Sequence, residues 1–106
     1  MKTLAVSCLS LGLALTVTSI TAHADPALGK QVFLEQAQPS CAVCHALEDA
    51  GSEGNIGPNL DELKPTREQV VNAVTGGVGI MPAFEESLSE EQIQALADYI
   101  VQVTQD

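Results

Sequence analysis

The sequence predicts an all-α domain of about four short helices, and three observations carry that prediction. Apolar residues recur at helical spacing in separate stretches, as in Leu28, Val32 and Phe33 or in Ile93, Leu96, Ala97 and Ile100. Two capping boxes, Thr66-Arg67-Glu68-Gln69 and Ser89-Glu90-Glu91-Gln92, stand at the head of such stretches, where hydroxyl and amide satisfy the free N–H groups of a helix start. No run shows the sustained alternation or β-branched enrichment of a paired strand.

Ahead of these helices, Lys2 gives a positive start, residues 4–20 are apolar, and Ala22-His23-Ala24 precedes Asp25. That pattern is a secretory signal peptide spanning residues 1–24 with cleavage after Ala24. A membrane anchor fits less well, because the apolar run is short, holds several Thr and Ser, and has nothing basic after it to stop transfer. Cys8 lies inside the run instead of at its end, so a lipoprotein reading fails and Cys8 leaves with the leader. The remaining domain, residues 25–106, has 106 − 24 = 82 residues. A chain of that size sits near the limit at which an apolar core is stable without a staple.

All 14 acidic residues follow Ala24 while Lys2 is lost, which leaves 3 − 14 = −11 formal charges on the mature chain. Such a surface repels phosphate and anionic lipid and excludes nucleic-acid and membrane-surface binding. Phe33, Phe84 and Tyr99 are the only aromatic rings, with no Trp. A large flat apolar cofactor would supply the missing bulk. No later stretch is apolar for long enough to span a bilayer, and no internal repeat is present, so the mature chain reads as one domain without a membrane anchor.

Within it, Pro26 suits the start of a helix reaching about Gln36, which Pro39-Ser40 then break. A second short helix is expected over residues 41–47, giving way to an acidic, glycine-containing solvated loop over residues 48–55. Thr66 opens a helix carrying Val70, Val71 and Val74 that stops at Gly76-Gly77. Ser89 opens the last one, where Glu90 and Glu91 also suit the helix dipole. All are too short to form a bundle core by themselves.

Cys41-Ala42-Val43-Cys44-His45 is the pattern of covalent c-type haem attachment. On a helix, positions i, i+3 and i+4 share a face, so both thiols can bond the haem edge while His45 points its imidazole at the iron. Cys-x-x-Cys alone also occurs in redox dithiols and zinc sites. A thioredoxin-like reading needs a βαβ framework that the sequence lacks. Zinc needs four ligands where the mature chain has two Cys and one His. The other axial position follows by elimination. His23 and Met1 leave with the leader, so bis-histidine ligation is excluded and Met81 is the sole thioether. A lone Met is commonly core filler. Met81, however, follows Gly76-Gly77-Val78-Gly79-Ile80 and precedes Pro82, a setting in which glycines allow close backbone approach to the haem and Pro82 biases Met81 toward extended backbone.

With these motifs the sequence resembles the class I cytochrome c family over nearly all of the mature chain. The marks are the Cys41–His45 motif, Gly57-Pro58-Asn59-Leu60, Met81-Pro82, and the helix pair carrying Gly29, Phe33, Leu96 and Tyr99. The resemblance implies a small cytochrome c fold wrapped around one covalent haem c, with His45 and Met81 as iron ligands. It implies that Gly29 and Phe33 pack near Leu96 and Tyr99 where the terminal helices cross. It also implies that the Pro58 carbonyl accepts the other ring N–H of His45, although Gly57-Pro58 read alone is a plain turn. Residues 41–84 are, more narrowly, similar to the small haem subunits and electron acceptors of periplasmic sulfite dehydrogenases.

Together these readings give a periplasmic carrier of single electrons, and no enzyme, because an iron with both axial positions filled has no open site and the mature chain has no second histidine for acid–base work. Two other classes compete: a permanently bound haem subunit of an oxidoreductase, and a haem enzyme or gas sensor in which Met81 is labile. Should Met81 not be the ligand, Lys64 and Lys30 are the nitrogen candidates. With Lys30, Lys64 and Arg67 as the only cations, the expected redox partner presents a basic or neutral rim around an apolar contact near Met81, Pro82 and Ala83.

Overall fold

The computed structural model describes residues 12–19 and 25–105. Residues 12–19 are exposed chain without helix or strand, and the expected cleavage site at residues 22–24 lies outside the described residues.

Helix α1, Pro26–Gln31, starts where expected: the Asp25 side chain accepts from the Ala27 N–H at 2.9 Å, and Pro26 occupies the first turn, where its missing N–H costs nothing. It runs on to Gln36, but residues Val32–Gln36 form a widened π-helical turn closed by the Ala37 N–H on the Val32 carbonyl. Helix α2 is the single turn Cys41–Cys44. There the expected helix over residues 41–47 is corrected. His45 is extended, and Ala46–Leu47 forms strand β1, paired antiparallel with β2, Ser52–Glu53. The stretch expected as a solvated loop is therefore a small hairpin, turned by a 3₁₀ segment at Glu48–Ala50 and by Gly51 at φ +65°.

Helix α3, Leu60–Leu63, was not expected from periodicity, since one turn is too short to show any. Asn59 caps it by accepting from the Asp61 and Glu62 N–H groups. Helix α4, Arg67–Gly76, and helix α5, Glu90–Thr104, each open with both halves of the expected capping box formed. Gly77, at φ +73°, ends α4.

The core is the seam where these elements meet α5. Phe33, Leu47 and Leu96 are fully buried, with Val32, Leu60, Val70, Val74, Phe84, Ile93, Tyr99 and Ile100 around them. Each such side chain contributes about 1.5–3 kcal/mol by leaving water. The tightest packing is the crossing of α1 on α5. A Cβ on Gly29 would overlap the Ala95 carbonyl and the Tyr99 side chain, so only glycine lets the two backbones approach this closely. Phe33 meets Tyr99 edge to face, with ring centroids 6.4 Å apart and planes at 65°. The fold is the small all-α domain the sequence predicts, with one two-residue ladder added.

Candidate functional site

A cavity of about 780 Å³ opens beside this core, and Cys41, Cys44, His45, Pro58 and Met81 all line it. Its floor is apolar, from Phe33, Leu60, Val70, Val74, Phe84, Leu96 and Ile100. None of the residues lining it is charged, in a protein with 14 carboxylates.

The two thiols come from α2, whose start is fixed by Ser40. Its Oγ accepts from the Ala42 N–H at 3.3 Å and lies 3.0 Å from both the Phe33 and Leu34 carbonyls, tying the attachment turn to the end of α1. The two sulfurs are not joined in a disulfide. Burial pushes the Cys41 thiol up to about 11, and the neighbouring Cys44 adds to the effect. That is the reverse of a redox dithiol, whose attacking sulfur is activated by a lowered pKa. Among the described residues no group of three or more His, Cys, Asp or Glu could hold a metal ion.

His45 follows α2 in extended conformation, φ −113° and ψ 133°, so helical spacing alone does not place its ring. The ring is held instead by residues 52–58. Its Nδ1 lies 2.7 Å from the Pro58 carbonyl. A carbonyl can only accept, so Nδ1 carries the proton, and in the neutral imidazole Nε2 keeps the free lone pair. Gly57 backs the ring: a Cβ there would lie 2.6 Å from His45 Cε1. The Gly57 N–H also donates to the Cys44 carbonyl at 2.8 Å, and Ser52 Oγ donates to the His45 carbonyl at 2.9 Å.

Met81 closes a tight turn with Val78 through two backbone hydrogen bonds of 3.1 and 2.9 Å. Gly79 sits at φ +56°, a conformation that residues with a side chain rarely adopt. Gly77 combines positive φ with contact, since a Cβ there would lie 2.7 Å from the Met81 carbonyl oxygen. Gly77 and Gly79 thus shape the turn that carries Met81. The chain then returns to α4, with the Phe84 N–H on the Val74 carbonyl at 2.8 Å. Met81 itself is partly buried against the core.

Sequence reasoning missed Ile56, Leu63, Pro65 and Ile80 as cavity walls and Ser52 as a tie to His45. The one available signal was Asn59 before Asp61 and Glu62, an N-cap pattern that marks α3 and thereby places Leu60 and Leu63.

The donor set suits a large flat apolar group: two thiols on one turn, an imidazole nitrogen with its lone pair free, and a thioether on a shaped turn, around an uncharged cavity. A family model described as "Cytochrome C oxidase, cbb3-type, subunit III" matches residues 24–100. Cytochrome c6 of Leptolyngbya boryana is 39% identical over 84 residues, covering 74% of this chain and 92% of that protein. Chloroplastic cytochrome c6 of Chlamydomonas reinhardtii is 36% identical over 93 residues, covering 78% of this chain and 57% of its own length. Among solved structures, the c-type cytochrome SorU from Sinorhizobium meliloti matches with a TM-score of 0.72 and 53% identity, over 74% of this chain and 90% of that one. Fold and cavity define a small helical haem domain. The chain belongs to the cytochrome c family, as a monohaem class I c-type cytochrome. It carries one covalently bound haem c and serves as an electron carrier.

Proposed function

We propose that Cys41 and Cys44 form the two thioether bonds to the haem, that His45 Nε2 and the Met81 sulfur are the axial iron ligands, and that the Pro58 carbonyl orients the His45 ring. The observation that carries this is the convergence of all five residues on one uncharged cavity, with the His45 tautomer already fixed for metal binding. Bound there, the haem would supply a one-electron couple; His45 and Met81 would hold the iron and the Pro58 carbonyl would fix the imidazole, which would leave no open site for substrate. On this reading the protein catalyses no reaction of its own.

The same reading places the protein in the periplasm, exported by the signal peptide of residues 1–24. Among the described residues no helix is long and apolar enough to cross a membrane. The donor is an oxidoreductase of the sulfite dehydrogenase kind, on the likeness of residues 41–84 to the acceptors of those enzymes. Its docking surface is basic or neutral. Of the three cations of the mature chain, Lys30 and Arg67 are paired with Asp49 and Asp98, so neither adds a free positive patch, while the cavity mouth is uncharged. Partner charge then acts on encounter rate across a small apolar contact at Met81, Pro82 and Ala83.

Replacing Met81 by Ala tests the ligand set. The variant should bind carbon monoxide when reduced and show a lowered potential, whereas the native protein should resist carbon monoxide at neutral pH. Native behaviour in Met81→Ala would assign the sixth position to another residue. Carbon monoxide binding by the native protein would favour the gas-sensor or enzyme class.

A further inference from the structure

We propose that the hairpin of β1 and β2 is a strut that positions the His45 imidazole, with Ser52 at its base and Tyr99 at its tip as the positioning residues. The inference rests on the reading of His45 as an iron ligand. It starts from the extended backbone of His45, which leaves the residue outside α2 and dependent on whatever lies against it.

At the base, β2 and the residues after it grip the Cys44-His45 peptide. Ala46 pairs with Glu53, Ser52 Oγ donates to the His45 carbonyl at 2.9 Å, and the Gly57 N–H donates to the Cys44 carbonyl at 2.8 Å. Gly54 lies so close that a Cβ would stand 2.7 Å from both the Cys44 carbonyl carbon and the His45 nitrogen. Those neighbours are backbone and have little room to move.

At the tip, three helices hold the 3₁₀ turn. The Tyr99 hydroxyl of α5 donates to Asp49 Oδ2 at 2.6 Å, Lys30 of α1 donates to the Asp49 carbonyl at 2.8 Å, and Asp61 of α3 accepts from the Glu48 N–H at 2.8 Å. These ties differ in weight. The Lys30–Asp49 ion pair is 44% and 45% exposed, and exposed pairs contribute little. Tyr99 is 2% exposed, is braced by Phe33, and makes a short bond to a charged acceptor, the stronger kind. Position therefore passes from the α1–α5 crossing through Tyr99 to the hairpin tip, and from Ser52 to the His45 peptide.

The experiment is hydrogen exchange of the His45 Nδ1 proton, followed by NMR in the reduced holoprotein. Native protein, Ser52→Ala, Ser52→Thr and Tyr99→Phe are compared, with amides in the interior of α5 as the reference. Ser52→Ala and Tyr99→Phe should speed the Nδ1 proton by about five- to tenfold, the effect of removing one hydrogen bond from a local opening. The α5 amides should quicken less than Nδ1, by no more than the loss of global stability, and Ser52→Thr should restore the native Nδ1 rate. Native Nδ1 rates in both variants, or equal acceleration of Nδ1 and the α5 amides, would overturn the strut. Failure of the underlying reading has a separate signature: His45 ring protons of the native protein without the shifts of a haem-ligating imidazole would remove His45 as the ligand before any variant is compared.

Discussion

The crossing of α1 on α5 and the segment from Cys41 to Pro58 are built by different forces. The crossing is side chains: Gly29 against the Ala95 carbonyl, Phe33 edge-on to Tyr99, Leu96 fully buried. Between Cys41 and Pro58, Leu47 is the only fully buried side chain, and the ties to Cys44 and His45 are polar ones on Ser52, Gly57 and Pro58. The framework therefore takes its stability from apolar area, whereas the segment from Cys41 to Pro58 takes its shape from hydrogen bonds and glycine contacts. Damage to the first should unfold the protein; damage to the second should change the iron's surroundings while the fold stands.

Truncation in the crossing gives the largest expected effect. Leu96→Ala should cost about 2–5 kcal/mol in denaturant unfolding of the holoprotein, because a fully buried side chain leaves a cavity its neighbours cannot close. Leu96 also borders the cavity, so its loss should reach the haem spectrum too, but as the smaller of the two effects. Gly57→Ala should do the opposite. The added methyl would stand 2.6 Å from His45 Cε1, so the ring must shift, changing the reduction potential at a stability loss of about 1–3 kcal/mol. An unchanged potential in Gly57→Ala would mean that the segment is less tightly specified than its contacts indicate.

The smallest effect lies where the regions join. Hydrogen bonds from Tyr99 and then Lys30 hold the Asp49 carboxyl below its ordinary value, while burial and then Asp49 push the Tyr99 phenol upward. A carboxylate with a lowered folded pKa adds stability that is present above about pH 4 and lost as pH falls through the folded value. A phenol with a raised folded pKa adds stability that is present below about pH 10 and lost as pH rises through the folded value. The stability difference between native protein and Tyr99→Phe should thus be flat from about pH 5 to 10 and shrink on both sides. A difference independent of pH throughout would show that the phenol and carboxylate are not coupled.

This division also explains what the sequence could be made to show. Helices α4 and α5 were legible because capping boxes and apolar periodicity are local signals, and both boxes form in full. The Cys41–His45 motif, Met81 and Pro58 were legible as chemistry, from residue type and family likeness. What escaped was backbone: the end of α2 at Cys44, the hairpin, the one-turn α3 and the duty of Ser52. A two-residue strand has no period to read, and an acidic stretch with Gly51 and Gly54 looks the same as a solvated loop until its partner, the Cys44-His45 peptide, is in place.

Mass spectrometry of the mature chain after acid–acetone extraction tests the proposed site most directly. One haem should remain bound, on the peptide that contains Cys41, Cys44 and His45, with no free thiol left at either cysteine. Haem removed by the solvent, or attached at any other residue, would contradict it.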